Sequence, residues 1–342
     1  MKKIINWGLI GLGNASLNIA KEFKNIDNSK LLAVASKNSK KREYFQDKFK
    51  IDSNNNYSDY EQIFKNKDVD IIFIGLPNSM HEEFYIKALE FNKHVLVEKP
   101  LTKSIESFKK LKKKLLEKKL LIEEGTANKF HPFYLKALNI IKNLDHTKIK
   151  KIQSSFGNDA LGGKKIFGLR LKKINYKKRI FNKNLDGGSI LDGGIYPISL
   201  LVDILEIFKL KLNENFKIIR CDKKFSKNID LSSSLKINVS DINIELRTSL
   251  IENLKNNFEI FAEDKIIILN NIFTISSESC IIIKQNSNQI TIPNLDINSS
   301  YFYEIKEISN LLINKKFYNN FQDKRLTKLE KNVNLLSQWF EY

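Results

Sequence analysis

The sequence predicts an α/β protein whose first part is a doubly wound parallel sheet and whose second part is rich in antiparallel strands. Three observations support this prediction. Strand-like and helix-like segments alternate through residues 1–125, which is the pattern of parallel strands joined by helices. A glycine turn, Gly11-x-Gly13, directly follows the first strand candidate. After Gly194 the sequence contains no glycine, and alternating segments such as 233–250 predict extended antiparallel strands.

The elements follow from hydrophobic periodicity and from the positions of the few glycines and prolines. In the first part we predict strands Ile4–Ile10, Leu31–Ser36, Ile71–Gly75, His94–Val97 and Leu120–Glu123, and helices Ser16–Lys24, Lys40–Lys48, Tyr60–Phe64, His81–Phe91 and Ser104–Lys118. In the second part we predict helices Pro132–Asn143, Tyr301–Lys315 and Thr327–Trp339. Because the pattern changes near Glu123–Gly125, we expect domains at 1–123 and 124–342.

The turn after the first strand predicts dinucleotide binding. Gly11 permits a tight turn, and Gly13 allows the backbone to approach a pyrophosphate at the start of the helix that follows, near Asn14 and Ala15. Ser16 stands where a third glycine is expected. A glycine-rich turn in another α/β fold is the alternative. The spacing of the glycines favours a nucleotide turn over a signal peptide, so we expect a cytoplasmic protein.

The end of the second strand predicts the cofactor. An NAD site would have Asp or Glu there for the ribose hydroxyl, but the sequence has Ser36 and Lys37, with Lys41 following. A carboxylate would repel a 2′-phosphate, whereas hydroxyl and ammonium groups would bind one. We therefore predict NADP(H), with NAD(H) possible. The alternative is that these lysines only reflect the general excess of lysine.

Composition limits the other classes of function. The net charge is +19, but six of the 58 basic residues are arginine, the residue that best recognises phosphate and guanine. Nucleic acid is therefore not the expected partner. No apolar run is long enough to cross a bilayer. Cys221 and Cys280 predict reduced structural thiols, and no spacing indicates a metal site.

Four segments carry a resemblance to a known family: "WGLIGLGNAS" (7–16), "IIFIGLPNSMHEEFYIKALEFNKHVLVEKP" (71–100), "EEGTANKFHP" (123–132) and "LDGGSILDGGIYPISLLVD" (185–203). In order and separation they resemble the family of glucose-fructose oxidoreductases, inositol dehydrogenases and their relatives. The resemblance implies a Rossmann NAD(P)-binding domain and a C-terminal α/β domain with an open, mainly antiparallel sheet for substrate binding and oligomerisation. It also implies an active site in the cleft between them, and a homodimer or homotetramer. A glycine usual in relatives near Asp264–Lys265 is absent.

The resemblance assigns roles to the turn "EKP" that ends the strand "HVLVE". Lys99 is expected to point at the reacting carbonyl or alcohol, Glu98 to lie near the nicotinamide ribose, and Pro100 to fix the turn. His81 is expected on the cofactor side. The expected cofactor contacts are Gly11, Gly13, Asn14, Ala15, Ser36, Lys37, Lys41, Leu76, Pro77, Asn78, His81, Glu98, Lys99 and Pro100.

The segment "LDGGIYP" supplies the other expected catalytic groups. Asp192 and Tyr196 are four residues apart and share a face if a helix begins there. We expect Gly193 and Gly194 to leave room for cofactor or substrate. Family members with tyrosine at this position use it as proton donor or acceptor beside the lysine, with the aspartate orienting the substrate or the lysine. The alternative for Tyr196 is a buried aromatic at a helix start.

One further residue is assigned by the resemblance. Lys129 lies where relatives have a basic residue, and we expect it to face the substrate. Of the histidines, we expect His94 to be structural and His146 to lie in a loop.

These features predict an NADP-dependent oxidoreductase. Its hydride would pass between the nicotinamide and a ketone or secondary alcohol of a sugar, cyclic polyol or sugar nucleotide. Lys99 and Tyr196 would donate or accept the proton, and Asp192 would orient the substrate or Lys99. The alternative is a non-catalytic, dinucleotide-binding regulatory protein on the same scaffold. The presence of both Lys99 and Tyr196 favours catalysis.

Overall fold

The computed structural model describes residues 3–162, 173–210, 216–315 and 320–342, together with the short strands at 165–166 and 169–170. The chain forms two units, Met1–Phe130 with Asn298–Val333, and His131–Ile297 with Asn334–Tyr342. The predicted domains, 1–123 and 124–342, were each continuous, whereas each of these units includes a segment from near the C-terminus. The assignment of cofactor binding to 1–123 and substrate binding to 124–342 stays a prediction.

The first unit is built on a parallel sheet. Its strands are β1 (Ile5–Ile10), β2 (Ser29–Ala35), β3 (Asn56–Tyr57), β4 (Ile71–Ile74), β5 (His94–Glu98) and β6 (Ile122–Gly125), and its first helices are α1 (Asn14–Glu22), α2 (Ser39–Phe49), α3 (Tyr60–Lys65), α4 (His81–Glu90) and α5 (Ile105–Lys118). In the described residues the six strands pair in the order β3-β2-β1-β4-β5-β6, all parallel. The predicted doubly wound parallel sheet is confirmed.

The core of this sheet is buried on both faces. All four residues of β4 are buried, and so are Trp7 and Leu9 in β1. Helices cover both faces of such a sheet, so its strands are continuously apolar rather than alternating. The two-residue strand β3 was not predicted, because it is too short and too polar to show a pattern. It forms by pairing with Val34 and Ala35 of β2.

The second unit is built on a larger sheet. Its elements are α6 (Pro132–Lys142), β7 (Ile149–Gly157), β8 (Lys165–Ile166), β9 (Leu169–Arg170), α7 (Ile195–Ile207), β10 (Phe216–Ser226), β11 (Ile229–Val239), β12 (Ile242–Ser249), β13 (Asn257–Ala262), β14 (Ile266–Asn270), β15 (Cys280–Gln285) and β16 (Asn288–Pro293). Eight strands of the described chain pair in the order β10-β11-β12-β7-β13-β14-β15-β16. The pair β7 and β12 is parallel and the others are antiparallel. The predicted open, mainly antiparallel sheet is confirmed.

The turn between β13 and β14 shows why the glycine usual in relatives is dispensable. The amide of Ala262 donates to the carbonyl of Lys265 at 2.9 Å and closes the turn. Glu263, Asp264 and Lys265 are not among the described residues with positive φ. No position in this turn therefore requires the left-handed conformation that favours glycine.

Two helices near the C-terminus complete the units. These are α8 (Ser300–Ile313) and α9 (Asn320–Glu341). The indole nitrogen of Trp7 in β1 donates to Ser309 Oγ of α8 at 3.0 Å, and Ser29 Oγ of β2 donates to the same oxygen at 2.8 Å. These bonds attach α8 to the first unit across about 300 residues of sequence. None of the helices in the described part of the chain has the length and hydropathy of a membrane span.

Candidate active site

The turn between β1 and α1 has the geometry that its glycines predict. Gly11 has φ +78°, and a Cβ there would lie 2.6 Å from the carbonyl oxygen of Gly75. Glycine is thus required for both conformation and space. A Cβ on Gly13 would meet no atom closer than 4.0 Å, and no side chain caps α1. The first amides of α1, at Asn14 and Ala15, are therefore available to an anion.

Ser16 takes over the position of the third glycine by a specific contact. It is fully buried, and its Oγ donates to the carbonyl of Gly11 at 2.7 Å. A Cβ on Gly75 would lie 2.4 Å from that Oγ. Gly75, which directly follows β4, therefore leaves the space that the Ser16 hydroxyl occupies. β1 and β4 are the strands between which the order of the sheet reverses, the place where such sheets bind ligands.

The end of β2 is basic, and the structure adds a residue that sequence reasoning missed. Lys37 and Lys41 are exposed, and Asn38 caps α2 by accepting from the Lys41 amide at 3.1 Å. Arg42 Nη1 donates to the carbonyl of Ser36 at 2.6 Å, which holds its guanidinium beside this turn. A planar guanidinium is the preferred phosphate ligand. Its position one helical turn into α2 was the signal that could have identified it.

His81 joins two loops that were expected to contact the cofactor. It is buried at the start of α4, with Nδ1 2.8 Å from the carbonyl oxygen of Pro100 and Nε2 2.9 Å from that of Leu76. A neutral imidazole has one N–H and can donate to one of these two carbonyls at a time. Both ring nitrogens lie within hydrogen-bond distance of backbone carbonyls. His81 positions the segment Leu76–Asn78 against the turn at Pro100.

The turn after β5 is held by a buried carboxyl. The peptide Lys99–Pro100 is cis. The amide of Leu101 donates to Glu124 Oε1 of β6 at 2.8 Å. Burial raises the pKa of Glu124, while the Leu101 amide and the charges of Lys129 and Lys99 act in the opposite direction. Lys99 and Lys129, which were predicted from separate segments, therefore both lie near the carboxyl group of Glu124.

A second buried carboxyl lies near the same turn. Glu304 of α8 is fully buried, and neither of its carboxylate oxygens has a hydrogen-bond partner in the described residues. Burial, and secondly the charge of Glu98, raise its pKa well above the ordinary value. These surroundings therefore favour the neutral form of the Glu304 carboxyl group. No sequence signal identified it, because its role depends on the docking of α8 onto the first unit.

In the second unit, a buried segment exposes two side chains. Residues 187–205 are buried except for Asp192 and Tyr196, which are each partly exposed. The segment begins as a π-helix, Ile190–Gly194, and continues as α7. Asp192 and Tyr196 are thus the groups of this segment that solvent or a ligand reaches.

The start of this segment is fixed by Asp230 of β11. Its Oδ2 accepts from Ser189 Oγ at 2.6 Å and from the Ile190 amide at 2.8 Å. Gly188 has φ +127°, and a Cβ there would lie 2.1 Å from Asp230 Oδ1. Glycine is required at that position because of the carboxylate.

The expectation that Gly193 and Gly194 leave room for a ligand is wrong. Both are buried. A Cβ on Gly193 would lie 2.4 Å from Thr248 Oγ1, and one on Gly194 would lie 3.1 Å from the ring of Trp339. The space that these glycines create is filled by β12 and α9, so they allow close packing within the protein.

The surroundings of Tyr196 and Asp192 are defined within their own unit. The Tyr196 ring packs on Phe156 at 4.6 Å between centroids and near Phe273 at 6.1 Å. Asp192 Oδ1 accepts from Arg179 Nη2 at 2.7 Å. Arg179 was missed in the sequence, where it stands in the lysine-rich run "KKRI". The aspartate is thereby oriented by a guanidinium.

The predicted residues divide between the two units. Gly11 through Lys129 belong to the first unit, and Asp192 and Tyr196 to the second. The meeting of Lys99 with Tyr196 over one nicotinamide stays a prediction, as do their catalytic roles.

The remaining histidines and the cysteines have structural surroundings. His94 Nδ1 accepts from the Leu121 amide at 2.9 Å, and burial lowers the pKa of His94 to about 4. His131 caps α6. Cys221 and Cys280 are free thiols, as predicted. No cluster of metal-ligating side chains occurs among the residues that the structure describes.

A glycine turn at the reversal point of a 3-2-1-4-5-6 sheet defines the first unit as a dinucleotide-binding Rossmann domain. Comparison with known families agrees. Residues 5–126 match the model of GFO_IDH_MocA, described as an oxidoreductase family with an NAD-binding Rossmann fold. The resemblance predicted from the sequence is confirmed by this match over residues 5–126.

Individual relatives are distant. An uncharacterized oxidoreductase, ORF334 of Rhizobium meliloti, is 24% identical over 84% of this chain and 81% of its own. The D-xylose 1-dehydrogenase (NADP(+)) of Hypocrea jecorina is 27% identical over 59% of this chain, and the match spans about half of that enzyme, 53%. A solved 3-ketoreductase from Actinomadura kijaniata, in complex with NADP and TDP-benzene, is 17% identical with a TM-score of 0.81, covering 98% of this chain and 96% of that one. This structural likeness supports the fold over both units.

Proposed function

We propose that this protein is an NADP-dependent oxidoreductase. It transfers a hydride between nicotinamide and a ketone or secondary alcohol of a sugar, a cyclic polyol or a sugar nucleotide. The observation that carries the proposal lies within the first unit. The open glycine turn after β1 and the Glu98–Leu101 turn after β5 both follow the carboxyl ends of parallel strands in one sheet, the edge at which such sheets bind cofactors. The names of the xylose dehydrogenase and the ketoreductase agree with the substrate class.

The preference for NADP rests on charge at the end of β2. Lys37, Lys41 and Arg42 lie there, and the turn at Ser36 carries no carboxylate. A 2′-phosphate bound at this turn would be near three cationic side chains and the hydroxyl of Ser36. An adenosine ribose without the phosphate would lack the carboxylate partner that NAD enzymes provide.

Proton transfer is proposed for Lys99 and Tyr196, with Asp192 positioning the substrate. An ammonium near a phenol favours the phenolate, which lets the hydroxyl exchange a proton near neutral pH. The cofactor, when bound, supplies the hydride chemistry. Lys129, near Glu124 together with Lys99, is proposed as a substrate contact. A homodimer or homotetramer also stays a prediction.

The test is NADPH oxidation by the pure protein across a panel of keto-sugars and sugar nucleotides, with NADH in parallel. Lys99→Met and Tyr196→Phe should lower kcat by about 10²–10⁴-fold while NADPH still binds. Lys103→Met, at an exposed lysine just beyond the turn, should change kcat by less than about twofold.

Two results would overturn the proposal. Tight NADPH binding without turnover on any member of a broad panel would favour the regulatory alternative. Turnover that survives both substitutions would remove the assigned roles of Lys99 and Tyr196.

A further inference from the structure

A groove in the first unit is bounded by lysines and lies apart from the proposed cofactor site. It has a volume of about 520 Å³ and is formed by the ends of α1 and α2 and the beginning of β2. β2 runs from Ser29, in the groove, to Ala35, next to the predicted cofactor turn. Seven residues of strand at about 3.3 Å each separate the two places by roughly 20 Å.

The rim of the groove is cationic. Five of its ten lining residues are lysines and none is acidic; the lysines are Lys21, Lys24, Lys30, Lys48 and Lys50. All five are exposed. Lys48 donates to the Tyr44 hydroxyl at 2.6 Å, and no ion pair involves any of the five within the described residues. None of the five is therefore held in an ion pair within these residues, although Glu22 and Asp47 stand next to Lys21 and Lys48 in the sequence.

The negative ends of two helices offset only part of the positive charge of these lysines. α1 and α2 both end at the groove, and each helix C-terminus carries about half a negative charge. Two such ends offset roughly one of the five lysine charges. The lining of the groove, with five lysines and no acidic residue, therefore places positive charge around a space of the size that small-molecule sites have.

The floor of the groove is apolar. It is formed by Ala20, Phe23, Leu31 and Phe49, of which Phe49 is partly exposed. A strongly hydrated inorganic anion gains nothing from such a floor. An organic anion can cover it with its apolar part while its charged group meets the lysines.

We propose that this groove binds a small amphipathic organic anion, with a flat or aliphatic body and a phosphate or carboxylate group. The body lies on Phe23, Leu31 and Phe49, and the anionic group lies among the lysines.

The experiment measures binding of 1-naphthyl phosphate to the full chain by its fluorescence, and the variants below distinguish binding in the groove from binding elsewhere. The triple variant Lys24→Gln, Lys30→Gln, Lys50→Gln should weaken binding about tenfold or more, since charge-assisted contacts are lost. The control changes net charge equally through Lys67→Gln, Lys110→Gln, Lys113→Gln, at exposed positions outside the groove. It should weaken binding less than about twofold at 0.15 M salt.

Three outcomes would overturn the proposal. These are no binding at millimolar probe, equal weakening by both triple variants, and displacement by inorganic phosphate at the concentration at which 1-naphthyl phosphate itself saturates. The last would show that charge alone, without the apolar floor, accounts for binding. Far-UV circular dichroism of each variant establishes that it is folded.

Discussion

The turn at Glu98–Leu101 in the first unit and the turn at Gly188–Gly194 in the second are held in place by the same device. In each, a buried carboxyl from a neighbouring strand accepts a backbone amide: Glu124 accepts from Leu101, and Asp230 accepts from Ile190. Both turns precede or contain a proposed catalytic group. A side chain at the end of a strand can be placed reproducibly only if the turn that carries it has no alternative conformation.

The two turns differ in how completely the carboxyls are satisfied. The oxygen of Asp230 that accepts the Ile190 amide also accepts the Ser189 hydroxyl. Near the first turn, Glu124 Oε2 and both oxygens of Glu304 have no hydrogen-bond partner in the described residues. Burial raises the pKa of all three groups. The first turn thus has the less satisfied surroundings, which predicts that its stability depends more strongly on pH.

The two tryptophans allow the units to be followed separately. Trp7 lies in the first unit and Trp339 in the second, and both are fully buried. A protein that retains only one of them, with phenylalanine at the other position, reports the unfolding of one unit. The stability predictions below use these two backgrounds.

The largest effect is expected from Asp230→Ala. The substitution leaves the Ser189 hydroxyl and the Ile190 amide buried without their acceptor, which costs about 3 kcal/mol. Urea unfolding followed by Trp339 should show the loss. The control Asp241→Ala, at an exposed turn position, should cost less than about 0.5 kcal/mol. Equal effects would show that Asp230 does not fix this segment.

Glu304→Gln should test whether the stability of the surroundings of the first turn depends on pH. The folded pKa of Glu304 is raised above its ordinary value of 4.5. Its favourable contribution is therefore present below pH 4.5 and is lost as pH rises through the folded pKa. At pH 8 the variant should be more stable by about 1 kcal/mol or more, because a buried ion costs more than a buried amide.

The measurement for Glu304→Gln is urea unfolding followed by Trp7 at pH 4 and pH 8. The variant and the parent should differ at pH 8 and coincide near pH 4. A variant that is less stable at both values would show that the carboxyl has a partner that the amide cannot replace.

His81→Leu should weaken NADPH binding about tenfold. It removes the imidazole that lies within hydrogen-bond distance of the carbonyls of Pro100 and Leu76, and loss of one such hydrogen bond costs about 1.4 kcal/mol. Fluorescence titration with NADPH measures the change. His146→Leu, at an exposed position of the second unit, is the matched control. If both variants bind NADPH like the parent, the link between the two loops does not serve the cofactor.

The smallest effect is expected from Ser16→Ala. It removes one hydrogen bond, from Ser16 Oγ to the Gly11 carbonyl, and should cost about 1 kcal/mol. Unfolding followed by Trp7 measures the cost, and Ser58→Ala, at an exposed serine, provides the baseline. A neutral result would show that small size alone explains serine at the position of the third glycine.

The sequence by itself determined the parallel sheet of the first unit, the antiparallel character of the second, and the glycine turn at Gly11. These features depend on periodicity and backbone freedom within short segments. It also contains the motifs "EKP" and "LDGGIYP", through which the family resemblance assigned expected roles to Lys99, Asp192 and Tyr196. Local patterns of this kind are visible without knowledge of contacts.

Only the tertiary structure decided which residues hold those groups in place. The pairing of Arg179 with Asp192, the burial of Glu304 and the two carbonyl contacts of His81 depend on segments that meet only when the chain is folded. The same holds for Gly193 and Gly194, whose neighbours, Thr248 and Trp339, lie more than 50 and 140 residues away. Periodicity within a segment records which side of it is buried, but not which distant group covers that side.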